Sequence, residues 1–177
     1  MIRLFVGLEI PEFVGRRLIM LQGGVPGAKW QTLEQLHLTL RFIGEVPEST
    51  TADIDDALAV IRAPSFEMEI SGVGEFGGKV PRALWAGIRA GEELPHLHRK
   101  IDTALQRLGL GADERKFSPH VTLARLKNAP RAKVIEFLTH HALFAAGPFK
   151  VPRFVLFSSE LGSGGSVYHA EREYALG

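Results

Sequence analysis

The chain has 177 residues, of which 45% are hydrophobic and 23% charged, a balance typical of one folded globular domain rather than a disordered or membrane protein. The net charge of +1 excludes a global field that attracts a long polyanion, so contact with nucleic acid must depend on a local cluster of Arg and Lys. The absence of cysteine excludes thiolate nucleophiles, disulfides and cysteine-based zinc sites.

The predicted elements alternate between strands and helices along the chain. Apolar periodicity and turn residues predict, in chain order, a strand at 2–10, a helix at 12–21, a strand at 36–43, a helix at 49–61, strands at 66–73 and 82–88, a helix at 92–108, a strand at 121–126, a helix at 131–140, and strands at 149–158 and 167–175. The order strand, helix, strand, strand occurs at 36–88 and again from 121 onward. This recurrence predicts a half-chain pseudo-repeat.

Two glycine-rich stretches are predicted to be turns rather than ligand sites. The connection 72–81 contains a GxGxxG pattern, but it joins two predicted strands, whereas a dinucleotide site needs a strand followed by a helix. We therefore predict a hairpin loop there. The run 162–165 is predicted to be a turn between the last two strands.

Two tetrads of the form His-x-Thr-x lie in predicted strands. They are His37-Leu38-Thr39-Leu40 and His120-Val121-Thr122-Leu123. Because side chains alternate faces along a strand, each tetrad should present its histidine and threonine on one face and anchor its two apolar residues in the core. Two such strands facing each other would enclose a small anion.

The residue types of the tetrads suit cleavage of a phosphodiester. That reaction needs a base for the attacking oxygen and an acid for the leaving oxygen, and a histidine pair can fill both roles near neutral pH. Thr39 and Thr122 can donate hydrogen bonds to phosphate oxygens, and Arg125 adds a fixed positive charge. This scheme requires no metal and no cofactor. Phe42 and Phe117 are candidates for stacking on a nucleobase, with core packing as the alternative.

These features resemble the two-histidine (2H) phosphoesterase superfamily, specifically the bacterial and archaeal RNA 2′,3′-cyclic phosphodiesterases that are also called 2′-5′ RNA ligases. The resemblance spans nearly the whole chain. It is carried by Arg3-Leu4-Phe5-Val6-Gly7-Leu8, the run 37–45, the segment 82–88 around Trp85, the run 118–125, and Ser159-Glu160-Leu161.

The resemblance implies an α+β fold, formed by residues 1–177 as a single domain with two pseudo-symmetric lobes. Antiparallel sheets would flank a central cleft, with helices outside. It implies that His37 is the general acid for the leaving 3′-oxygen and that His120 is the general base that activates water. Thr39, Thr122 and Arg125 match phosphate-binding positions of the family.

The implied reaction is metal-independent hydrolysis of RNA 2′,3′-cyclic phosphate ends to 2′-phosphates, with reverse 2′-5′ ligation at the same site. The expected partners are such RNA ends or cyclic nucleotides, with no membrane and no obligate protein partner, and the expected compartment is the cytoplasm. Two alternatives stay open. One is a cyclic phosphodiesterase for a small nucleotide such as ADP-ribose cyclic phosphate, and the other is a non-catalytic module that binds RNA ends.

Overall fold

The computed structural model describes all residues from 1 to 177, with four helices and one nine-stranded sheet. The elements are β1 (Ile2–Glu9), α1 (Glu12–Ile19), β2 (Ala28–Trp30), β3 (His37–Val46), α2 (Thr51–Ala59), β4 (Phe66–Phe76), β5 (Ala83–Ala90), α3 (Glu93–Arg107), β6 (His120–Leu126), α4 (Arg131–His140), β7 (Ala145–Val151), β8 (Arg153–Gly162) and β9 (Gly165–Ala175). Short 3-10 turns at Leu33–Gln35 and Glu48–Thr50 precede β3 and α2. No helix is long and apolar enough to cross a membrane.

The sheet is antiparallel throughout and has the strand order β7-β4-β5-β6-β3-β1-β8-β9. We call the half with β3, β1, β8 and β9 the first lobe, and the half with β6, β5, β4 and β7 the second lobe. The short strand β2 lies beside β6. The two predicted sheets therefore join as one sheet at the contact between β3 and β6, the strands that carry the two tetrads.

The predicted pseudo-repeat is present, but its units begin earlier than the pattern 36–88 indicates. The series β1, α1, β3, α2, β4 corresponds to the series β5, α3, β6, α4, β8. In each unit the second strand carries a tetrad and the first strand pairs beside it. The sequence pattern assigns β5 to the first unit because β5 follows β4 in a hairpin. In the structure β5 is the first strand of the second unit.

The core lies between the sheet and the helices. Leu38, Leu40, Val121 and Leu123 are at most 2% exposed, as the alternation in the tetrads predicts. The helix α3 covers this face of β3 with four leucine or isoleucine side chains spaced three or four residues apart, Leu94, Leu97, Ile101 and Leu105. The opposite face of β3 and β6 is therefore free to form a cleft.

The predicted strand 149–158 is wrong, because two strands occupy this region. Pro152 separates β7 from β8, since proline has no N–H to donate to a strand ladder. At this break the chain passes from the second lobe to the first, because β7 pairs with β4 whereas β8 pairs with β1. A continuous apolar stretch therefore contains a crossing between the two lobes.

The predicted loop 72–81 is shorter than expected. The hairpin itself is present, but β4 continues through Gly72 and Gly74 to Phe76, so only 77–82 connects it to β5. Gly74 lies directly under the indole of Trp85, and a Cβ at this position would come within 2.2 Å of that ring. This glycine therefore serves close packing between strands and not phosphate binding.

Candidate active site

The two tetrads meet where β3 and β6 touch. Leu38 pairs with Val121 and is the only residue pair of that ladder. In antiparallel register, this sets His37 opposite Thr122 and Thr39 opposite His120. The two imidazoles are then diagonal neighbours on one face, for which Cβ atoms are roughly 7 Å apart.

Beyond this contact the two strands separate, and β2 takes the place of β3 beside the end of β6. The lobes therefore diverge at the tetrads. This divergence opens the cleft at the position of the histidine and threonine side chains.

A β-bulge brings Arg125 to the cleft. By strict alternation, a residue five positions after His120 would point into the core. The register between β5 and β6 shifts between Leu84 and Trp85, so that Leu123 and Ala124 are both buried and Arg125 emerges on the same face as Thr122.

The first tetrad is followed by an equivalent bulge with a different outcome. The register between β1 and β3 shifts so that Leu40 and Arg41 are both buried, and Phe42 emerges at the cleft. Phe42 thus occupies the position in the first lobe that Arg125 occupies in the second. The bulge in the second lobe therefore places a cation in the cleft, and the bulge in the first lobe places an aromatic ring there.

Both imidazoles are fixed by the carbonyl two residues before them. The Nδ1 of His37 lies 2.8 Å from the Gln35 carbonyl oxygen, and the Nδ1 of His120 lies 2.7 Å from that of Ser118. Since a carbonyl can only accept, each Nδ1 carries a hydrogen and donates it. Each Nε2 is left for the cleft, and that of His37 lies 2.9 Å from the Thr39 hydroxyl oxygen.

The cleft holds a cavity of about 580 Å³. His37, Thr39, Thr122 and Arg125 are among the residues that line it, together with Phe42. His120 lies beside the cavity rather than in its wall, with the Phe76 ring edge-on to it at 4.9 Å. No group of three or more His, Asp or Glu side chains has the spacing needed to hold a metal ion.

Burial lowers the pKa of His37 below its ordinary value. Phe5 and Tyr168 pack against its ring at 4.8 and 5.0 Å. The Gln35 carbonyl opposes the effect of burial, and the charges of His120 and Arg125 add to it. The lowered pKa favours the neutral form of His37 in the free cleft at pH 7, and in this form Thr39 donates its hydroxyl hydrogen to Nε2.

The segment that leads to His120 is tied to β3 behind the cleft. The buried Arg41 donates from Nε to Asp102 of α3 at 2.7 Å, and its other nitrogens donate to the carbonyls of Phe42 and Gly111. One side chain thus joins β3, α3 and the 108–119 connection.

The structure does not bring Phe117 to the cleft. Its ring is stacked on His98 of α3 with a centroid distance of 4.1 Å, and it packs against the core. Base stacking by Phe117 stays a prediction, but one face of its ring is already covered. Phe42 does line the cavity, with the guanidinium of Arg3 5.1 Å from its ring centre.

Sequence reasoning missed the residues that hold His37 in place. Gln35 accepts from the Thr32 N–H through its side-chain oxygen and donates from its amide to the Ser166 carbonyl of β9. Phe5, Phe157 and Tyr168 form an apolar wall around His37. Local sequence patterns do not reveal these residues, because the three aromatic side chains come from three separate strands. The acceptor for the His37 Nδ1 hydrogen is a backbone carbonyl, which residue type does not reveal.

Comparison with known proteins identifies the family. The sequence profile of the 2′-5′ RNA ligase superfamily matches residues 21–162. The chain belongs to the 2′-5′ RNA ligase superfamily. The resemblance inferred from the tetrads is thereby confirmed.

Similar proteins of this superfamily cover most of the chain. The RNA 2′,3′-cyclic phosphodiesterase of Thermotoga maritima is 33% identical, with 94% of this chain and 91% of that protein aligned. The protein of the same name from Aeropyrum pernix is 36% identical, with 76% of this chain and 78% of that protein aligned.

Solved structures confirm the fold class. A Thermus thermophilus protein has a TM-score of 0.79 at 28% identity, covering 98% of this chain and 97% of that one. E. coli LigT in complex with 3′-AMP has a TM-score of 0.81 at 24% identity, covering 99% and 98%. The predicted two-lobed α+β architecture of the 2′-5′ RNA ligase superfamily is thus confirmed.

Proposed function

We propose that this protein hydrolyses 2′,3′-cyclic phosphates at RNA ends to 2′-phosphates without a metal ion. The observation that carries the proposal is the single pairing of Leu38 with Val121, since it aligns two imidazoles and two threonine hydroxyls on one open face. The relatives named RNA 2′,3′-cyclic phosphodiesterase support this choice of substrate. The cytoplasm is the compartment that we propose.

In the proposed reaction, His120 takes a proton from water through Nε2 as the water oxygen attacks phosphorus. The bond between phosphorus and the 3′-oxygen breaks, and His37 gives its proton to that oxygen. The product carries a 2′-phosphate and a 3′-hydroxyl. The fixed Nδ1 donors of both rings support these roles, because they direct each Nε2 away from the backbone.

Thr39, Thr122 and Arg125 are proposed to bind the non-bridging phosphate oxygens. Two hydroxyls and a guanidinium can stabilise the charge that develops on these oxygens in the transition state. Phe42 is proposed to stack on the nucleobase through the ring face that Arg3 does not cover, since it is exposed and lines the same cavity.

The role of His37 as an acid requires that it gain a proton on binding substrate. Burial keeps it neutral in the free cleft, but an anionic phosphodiester beside Nε2 favours the imidazolium and offsets the cations that oppose it. When an RNA 5′-hydroxyl takes the place of water, the same groups also catalyse its attack on the cyclic phosphate, which breaks the bond to the 3′-oxygen and forms a 2′-5′ linkage. Water at its much higher concentration favours hydrolysis.

The proposed function is tested with a 2′,3′-cyclic mononucleotide in the presence of excess chelator. We expect full turnover, and phosphorus NMR should show only the 2′-phosphate. His37→Gln and His120→Gln should each lower kcat by roughly 10²- to 10⁴-fold, the usual contribution of a general acid or base.

The matched control is His140→Gln, which replaces an exposed histidine at the end of α4 and should leave kcat unchanged. Loss of activity with chelator, or a 3′-phosphate product, contradicts the proposal. Tight binding of cyclic-phosphate RNA without any product would favour the non-catalytic binding module instead.

A further inference from the structure

A second cavity lies between α2 and α3, on the helix side of the sheet. Its volume is about 510 Å³. Its lining includes apolar residues such as Val60, which is 72% exposed, and Ala104. We call it the α2–α3 groove. Because α3 covers the face of β3 that carries Leu38 and Leu40, the groove and the catalytic cleft lie on opposite sides of the sheet.

The α2–α3 groove is strongly cationic. Arg62, Arg99, Lys100 and Arg107 line it together with His96, and no Asp or Glu does. On α3, His96, Lys100 and Arg107 follow at intervals of four and seven residues, which places them on one face of the helix. A chain with a net charge of only +1 thus concentrates four fixed positive charges in one groove.

None of these four cations forms an ion pair in the structure. Elsewhere, exposed cations such as Arg89 and Arg153 contact carboxylates. Like charges gathered without partners repel one another, so the groove is electrostatically unsatisfied in the free protein. An anion in the groove would relieve this repulsion.

Two of the cations are held in place by the end of α2. Arg62 donates from one nitrogen to the Ala59 and Ile61 carbonyls, and Lys100 donates to the Arg62 carbonyl. These bonds explain why the two side chains lie here, but they use only part of the five donors of Arg and the three of Lys. Arg99 and Arg107 form no hydrogen bond with the protein through their side chains. Hydrogen bonds within the protein therefore do not explain why the Arg99 and Arg107 side chains lie in the groove.

We propose that the α2–α3 groove binds the phosphodiester backbone of an RNA whose cyclic end lies in the catalytic cleft. This inference rests on the proposed function. A cationic groove that also contains exposed apolar side chains suits single-stranded RNA, because phosphates contact the cations and a base can lie on the apolar side chains. Since the strand has to pass round the edge of the sheet, only an RNA above a threshold length reaches the groove.

The test compares a 2′,3′-cyclic mononucleotide with a series of RNA oligonucleotides of increasing length that end in the same cyclic nucleotide. For the wild-type protein, KM should fall once the strand is long enough to reach the groove. In the double variant Arg99→Glu/Arg107→Glu, KM for the long RNA should rise on the order of tenfold at low salt, since two phosphate contacts are lost. Its kcat and KM for the mononucleotide should stay unchanged.

The matched control is Lys150→Glu, which reverses an exposed charge on β7 outside both cavities and should leave the length dependence intact. A KM that is independent of RNA length in the wild-type protein overturns the proposal. An equal rise in KM for the mononucleotide and the long RNA in the double variant also overturns the proposal, since that result indicates damage to the cleft.

A direct binding measurement separates this proposal from the proposed function. Fluorescence anisotropy with a long RNA that has an unmodified 3′ end reports on the groove whether or not the cleft turns over a cyclic phosphate. Weaker binding by the double variant, with a shallower dependence on salt of about one unit of log–log slope per lost contact, supports the groove. Equal binding by both proteins contradicts it.

Discussion

His37 and His120 are held alike but lie in different surroundings. Each donates from Nδ1 to a carbonyl two residues earlier. His37, however, is enclosed by Phe5, Phe157 and Tyr168, whereas the ring of His120 has Phe76 and Trp85 nearby. The two matching histidines therefore differ in the packing around each ring.

The first prediction concerns the titration of His37. In the free protein its pKa, measured by NMR of the imidazole ring, should lie below the ordinary value of about 6.5, because burial disfavours the charged form. Adding a nucleoside 2′-phosphate should raise this pKa, since the anion stabilises the imidazolium. Activity as kcat/KM should then fall as pH rises above the pKa of free His37, because the acid loses its proton.

Arg125→Gln is the matched variant for this titration. It removes one of the cations that lower the pKa of His37, so the pKa in the free protein should rise. A pKa at or above 6.5 in the wild-type protein, or no change on adding the nucleotide, contradicts the protonation scheme.

The sequence predicted the tetrads at the residue scale but not how Arg125 reaches the cleft. Strict alternation puts this residue on the wrong face, and only the bulge at Leu123 and Ala124 corrects its direction. A bulge depends on pairing with β5, which lies far away in the sequence. The same limit applies to Gln35, whose side chain contacts β9 across the fold.

At the scale of elements, α3 and β3 are joined by the buried pair of Arg41 and Asp102. The side chain of Arg41 is 5% exposed and that of Asp102 is 17% exposed. Burial alone would raise the pKa of Asp102, but hydrogen bonds from Arg41 and Gln106 outweigh it and hold the pKa below its ordinary value. The carboxylate therefore stays charged throughout the neutral range.

The second prediction is that Asp102→Ala lowers the free energy of unfolding by about 3 kcal/mol, because it leaves the guanidinium of Arg41 buried without a counter-charge. Urea unfolding monitored by circular dichroism measures the change. Thr103→Ala, at an exposed position on the same helix, should change stability by no more than about 0.5 kcal/mol. Similar losses in the two variants would contradict a special role for the pair.

The longer elements could be predicted because their signals are local. The helix predicted at 92–108 is observed as Glu93–Arg107, since its apolar residues recur at helical spacing. The three-residue strand β2 was missed because it is too short to show a period, and it exists only through its pairing with β6. Pro152 was the available signal for the break between β7 and β8, but the apolar residues around it masked it.

At the scale of the whole molecule, we infer that residues 1–177 fold as one domain with two lobes. One core of 35 buried residues extends from Leu4 in the first lobe to Val151 in the second, and the sheet is continuous across them. Neither lobe has a separate main core. A separate cluster of only three buried residues, Phe5, Val155 and Phe157, lies on the cleft side of the sheet.

The third prediction is therefore a single unfolding transition for both lobes. Trp85 lies on β5 of the second lobe and Trp30 on β2, which pairs with β6 of that lobe, whereas both tyrosines lie on β9 of the first lobe. Tryptophan fluorescence and NMR signals of the tyrosine rings should give the same urea midpoint, because the shared core couples the lobes. Two distinct midpoints would show that the lobes unfold separately.

The crossing at Pro152 has a consequence for synthesis on the ribosome. The first lobe needs strands from both ends of the chain, since β1 pairs with β3 on one side and with β8 on the other. Until the residues after Pro152 have emerged, a nascent chain exposes the unpaired edge of β1, and His37 lacks the wall that Phe157 and Tyr168 provide. The segment translated last thus completes the surroundings of the histidine translated early.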